Sequence, residues 1–116
     1  MTSDGKVLRT AASGISPKGR AAKTIDLVNL ANNHTNDYLA LGLQQTKAAL
    51  RAVEVPFAGI PGTVPVVEVK GVRVAALGFS PYPWNNDINN IAKAKKLVAA
   101  AAKKADLVVV LIHAGA

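Results

Sequence analysis

An α/β fold, with a mainly parallel sheet and one antiparallel hairpin, is what this sequence predicts. Three observations carry that prediction. Apolar runs of strand length recur at 25–30, 72–78 and 107–112. Two longer stretches, 39–53 and 88–105, repeat apolar residues with a helical period. A two-residue loop containing a glycine, Lys70-Gly71, joins two runs rich in β-branched residues at 64–69 and 72–78.

Each element follows in chain order. Residues 1–22, interrupted by Ser13-Gly14, Ser16-Pro17 and Lys18-Gly19, read as a basic, loosely ordered arm, and 23–116 as a partial α/β domain. The first strand carries Ile25, Leu27, Val28 and Leu30 and stops at the polar run Asn32-Asn33-His34-Thr35-Asn36-Asp37. The helix over 39–53 puts Leu39, Leu43, Leu50 and Val53 on one face, and Pro56 enforces its end. A short strand at 56–60 leads to the Pro61-Gly62 turn and the hairpin. The second hairpin arm runs into Phe79-Ser80-Pro81-Tyr82-Pro83-Trp84, an aromatic loop stiffened by prolines. Asn85, Asn86 and Asp87 are the N-cap candidates for the helix at 88–105. Its apolar stripe is Ile88, Ile91, Ala94, Val98, Ala101 and Ala105, with Lys93, Lys96, Lys103 and Lys104 in solvent. The last two of these lysines suit the helix dipole. The run Leu107-Val108-Val109-Val110-Leu111-Ile112 is expected to be a strand buried on both faces.

Composition narrows the function. With no cysteine, disulfides, thiolate metal sites and thiol nucleophiles are excluded. His34 and His113 are the whole imidazole supply, so any metal or acid–base chemistry must use them. The net charge is +7, of which +4 sits in the first 24 residues. Aromatics are only 4% of the chain, which argues against a nucleic-acid partner, since such binders interleave bases with stacking rings. No apolar run approaches the roughly 18 residues of a membrane helix, and the start lacks the apolar core of a signal peptide.

Both histidines fall just past the carboxyl end of a predicted strand, where open α/β sheets bind ligands. Imidazoles with neighbouring carboxamides suit borderline divalent metals and phosphate chemistry. Taken alone, the same residues also read as ordinary structure. Asn32-Asn33-His34 makes a turn, Asp37 starts a helix, His113 ends a strand, and the Trp84 loop packs.

The segment Val28-Asn29-Leu30-Ala31-Asn32-Asn33-His34-Thr35-Asn36-Asp37-Tyr38 closely resembles the LANNH…DYG signature of the CapA-type family, the poly-γ-glutamate capsule synthesis proteins. The similarity continues through Gly42-Leu43, 55–59 and 67–78, and ends in Ala105-Asp106-Leu107-Val108-Val109-Val110-Leu111-Ile112-His113-Ala114-Gly115, covering 23–115. That family is similar in fold to calcineurin-like metallophosphoesterases, which implies a metallophosphatase-like α/β sandwich. Carried over, Asn33 would bind a metal through its carboxamide oxygen and His113 through its imidazole. His34 would donate a proton or hydrogen bond to the phosphoryl group or leaving oxygen, with Asp37 holding its ring. The implied cofactor is a divalent metal (Mn, Zn or Fe), and the implied location is the cell envelope.

The sequence departs from that pattern. A bridging carboxylate, an upstream Asp/His pair and a downstream Gly-His-x-His-like segment are not found, so the chain is expected to be an internal fragment carrying part of a phosphoesterase-like site, inactive alone. The alternative function is a non-enzymatic component that binds or exports an anionic polymer by charge. Uncovered strand edges would favour self-association.

Overall fold

The computed structural model describes residues 25–115, so the arm assigned to 1–22 lies outside the described residues. The elements run β1 (Val28–Asn29), α1 (Leu39–Ala52), β2 (Phe57–Ala58), β3 (Val66–Val69), β4 (Val72–Phe79), α2 (Ile91–Lys104) and β5 (Leu107–Ile112). Helices alternate with strands, as an α/β chain requires. The sheet itself differs from the expectation of one mainly parallel array. β1 and β2 form a parallel pair of their own, while β3, β4 and β5 form a mixed sheet in that order. β2 is limited to two residues because Pro56 has no N–H to donate and Gly59 turns the chain at φ 101°.

The hairpin follows from local chemistry. Lys70 and Gly71 both have positive φ (52° and 82°), the combination a tight two-residue turn needs to match strand twist. β3 therefore pairs antiparallel with β4 from Val66↔Ala75 to Val69↔Val72. The β4–β5 pair is parallel, with α2 as the crossover, in register from Val74↔Leu107 to Phe79↔Ile112.

The core lies between β4 and α2. Ala75, Leu77, Phe79 and Ala101 are buried together, flanked by Val64, Ile88, Ala94, Leu97, Ala105 and Val108. The stripe of α2 is thus rotated slightly from the expected one: Leu97 packs inward, while Ile91 and Val98 face solvent. α2 starts at 91 rather than 88 because its cap is Asn90, whose side chain accepts from the Lys93 N–H at 3.1 Å.

Two regions are less covered than their composition implies. No residue of α1 is buried, and Tyr38, Leu39 and Leu41 are exposed. β5, expected to be buried on both faces, has its outer edge unpaired among the described residues and no fully buried residue. Its position at the end of the sheet decides this, since one flank has no neighbour there.

The amino ends of β4 and β5 are pinned together. The Asp106 N–H donates to the Arg73 carbonyl at 2.8 Å, and Arg73 returns bonds from its own N–H (2.9 Å) and guanidinium (3.2 Å) to the Asp106 carboxylate. The guanidinium bond, then the backbone one, hold the Asp106 carboxyl below its ordinary pKa.

The two sheets approach most closely at glycine. A Cβ on Gly78 would overlap the Asn29 side-chain oxygen and press on Gly59, so β4 passes β1 at a distance no other residue permits.

Candidate functional site

Chain direction brings the carboxyl ends of β1, β2, β4 and β5 to one segment, residues 80–86. The Asn85 amide donates to the Leu30 carbonyl after β1 (3.3 Å). The Asn86 N–H donates to Gly59 after β2 (3.3 Å), and its side-chain amide donates to Gly78 in β4 (3.0 Å). The Ser80 hydroxyl donates to Asn85 Oδ1 at 2.7 Å. Ser80, Asn85 and Asn86 are buried, and no buried side-chain polar atom among the described residues lacks a partner. Asn85 and Asn86, expected as helix caps, are instead cross-links between strand ends.

Two aromatic residues extend these links outward. Tyr82 and Trp84 stack with ring centroids 5.3 Å apart and planes within 7°. The Trp84 indole donates to the Asn32 carbonyl at 3.2 Å, and the Tyr82 hydroxyl donates to the Gly115 carbonyl at 3.1 Å. One end of the stack therefore holds the loop that carries His34, and the other holds the segment just past His113.

The His34 loop is built from short-range bonds that its Asn-rich sequence supplies. Asn32 Oδ1 accepts from the His34 N–H at 2.8 Å, and the Asp37 N–H donates to the His34 carbonyl at 3.0 Å. The Thr35 hydroxyl donates back to the Leu30 carbonyl. Within this turn His34 Nδ1 lies 2.8 Å from Asp37 Oδ2, with both side chains largely exposed. Because a carboxylate only accepts, that contact puts the imidazole proton on Nδ1 and leaves Nε2 directed elsewhere. Asp37 does not cap α1, which begins with no side-chain cap. A depression of about 250 Å³ opens beside His34, lined also by Leu30, Asn32, Thr35, Tyr38 and Thr46.

Asn33 is half-buried in the same turn. His113 is half-buried after β5, where its N–H donates to the Phe79 carbonyl at 3.0 Å. The structure thus brings His34 and Asp37 into contact, keeps Asn33 in the same turn, and sets His113 past the end of β5, in the other sheet. Neither Asn33 nor His113 makes a side-chain hydrogen bond to described residues. The donor chemistry suits part of an ion's shell, one carboxamide oxygen and neutral imidazole. It does not suit a complete centre, because among the described residues no three His, Cys, Asp or Glu side chains gather to hold an ion.

Ser80, Tyr82, Trp84, Asn85 and Asn86 are the residues that sequence reasoning did not assign to the site. A signal was present: three of the five aromatic residues fall within six positions, at 79, 82 and 84, in a segment that also holds two prolines, at 81 and 83.

No curated protein and no solved structure gives a significant match to the chain. The family model for the bacterial capsule synthesis protein PGA_cap does match, over residues 17–116, so this chain belongs to that capsule synthesis family, of the CapA type.

Proposed function

We propose that the chain supplies part of a metal-assisted phosphoester-hydrolysing site to a protein of poly-γ-glutamate capsule synthesis, within a metallophosphatase-like sandwich. The observation that carries this reading is the His34–Asp37 contact of 2.8 Å at the carboxyl end of β1. A carboxylate at Nδ1 orients the ring and leaves Nε2 to face a phosphoryl or leaving-group oxygen, to which it donates when it carries a proton. Asn33 Oδ1 and the His113 imidazole would contribute to holding a divalent ion (Mn, Zn or Fe), whose chemistry is to polarise the phosphoryl group and activate water. The described residues alone do not complete such a centre, so no hydrolytic step is assigned to them unaided. The corresponding location is the cell envelope, and no described helix is long and apolar enough to cross a membrane.

A second reading rests on α2. Its five lysines, at 93, 95, 96, 103 and 104, are all exposed, and none forms an ion pair among the described residues. Such a face would hold an anionic polymer electrostatically, and other copies of the chain could bind the same polymer.

Calorimetric titration with Mn²⁺ and Zn²⁺ separates the two. Binding at micromolar concentration that vanishes in a His34→Ala/His113→Ala variant supports the metal reading. No metal binding, together with poly-γ-glutamate binding that weakens steeply with salt, supports the polymer reading instead.

A further inference from the structure

The Tyr82–Trp84 stack reaches by its own side chains two segments that no hydrogen bond between described residues joins directly: the loop 31–37 after β1 and the segment 113–115 after β5. We propose that the stack acts as a single strap that fixes these two segments relative to each other. Tyr82 and Trp84 are thereby positioning residues for whatever His34 and His113 bind.

Three features make the stack a strap rather than surface packing. Its two polar atoms point to opposite ends: the indole N–H to Asn32, two residues before His34, and the phenol to Gly115, two residues after His113. Its rings are nearly parallel, so a shift of either ring is felt by the other. Its base cannot swing. Pro81 and Pro83 fix φ on either side of Tyr82, the Tyr82 N–H donates to the buried Ser80 hydroxyl at 3.3 Å, and the Asn85 N–H donates to the Tyr82 carbonyl at 3.1 Å. A rigid base with two outward tethers transmits a displacement at one end to the other. Positional precision of this kind is what a site assembled from separate strand ends requires.

The coupling stands on these contacts alone, whereas its consequence for ion binding rests on the metal reading above. The test uses Tyr82→Phe, which removes only the hydroxyl, Trp84→Phe, which keeps an aromatic ring but loses the N–H donor, and the double variant. Amide exchange is followed by NMR at His34 and Asp37 on one side and His113 on the other, with Ala75–Leu77 in β4 as the control for intact folding.

Cutting either tether is expected to speed exchange about three- to tenfold at both ends, including the end the variant does not touch, and to leave β4 unchanged. The double variant should exceed neither single one, because a strap cut once is cut. Unchanged exchange at the far end, or effects that add in the double variant, would overturn the strap. Mn²⁺ affinity is read in parallel. A loss matching the exchange effect supports the positioning role, and equal affinity in wild type and variants overturns it. Coupled exchange in a wild type that binds no Mn²⁺ supports the strap and removes the metal reading alone.

Discussion

β4 and β5 lie side by side in parallel register, and the more apolar of the two is the more exposed. β5 is Leu-Val-Val-Val-Leu-Ile without a polar residue, yet Leu107 is 52% and Ile112 58% exposed. β4 carries Arg73 and Gly78, yet Leu77 at its centre is fully buried. The difference lies in neighbours. β4 has β3 and β5 on its two edges, α2 against one face, and the β1–β2 pair reaching it at Gly78. β5 has one paired edge and touches the core chiefly through Val108. Apolar content identifies a strand, while its place in the sheet decides how much of that apolar surface leaves water.

Four substitutions would sharpen or break this contrast. Leu77→Ala removes a side chain with no solvent exposure and should cost about 3 kcal/mol in urea unfolding. A loss below about 1 kcal/mol, the cost typical of a half-exposed site, would mean that β4 is not the centre of stability. Gly78→Ala drives a methyl group into Asn29 and Gly59, and a loss of about 2 kcal/mol is expected from the forced displacement. Val110→Thr in β5 should stay within about 0.5 kcal/mol, because that side chain is already substantially in water. A large loss there would show that something covers β5 in solution, and concentration-dependent light scattering would identify another copy as the cover.

The smallest effect is expected at the pinned amino ends. Asp106 titrates below its ordinary value because Arg73 bonds its ionised form, so the pair stabilises the fold above the unfolded-state carboxyl pKa. That contribution disappears as pH falls through the depressed folded-state value. The stability gap between wild type and Asp106→Asn should therefore be small at pH 7 and close on acidification. A gap that widens towards low pH would contradict the assignment. Salt should narrow it too, since both groups are exposed.

Element identity was largely legible in the residues. The Lys70-Gly71 turn, Pro56, and the apolar period of α2 each act over a few positions, and the elements they predict are present. β5 occupies the predicted 107–112. What could not be read locally depends on partners far along the chain. Asn85 and Asn86 look like helix caps beside a helical pattern, but their amides reach Leu30, 55 residues away, and Gly78. The burial of β5 failed for the same reason, as periodicity carries no information about sheet order. At the site, the three-residue spacing of His34 and Asp37 already allowed contact across a turn, whereas the two tethers of the aromatic stack span 52 and 33 residues.

The meeting of four strand ends at residues 80–86 also bears on the order in which the molecule assembles. The β3–β4 hairpin closes over two residues and can form within microseconds of collapse. The contacts of Asn85 with Leu30 and of Trp84 with Asn32 close loops of more than fifty residues, and that entropy must be lost before they yield any gain. Residues 80–86 are then a late-setting keystone: backbone structure precedes the ordered His34 loop during refolding. As the only tryptophan, Trp84 marks that last step by its fluorescence, which should lag the far-ultraviolet circular dichroism signal.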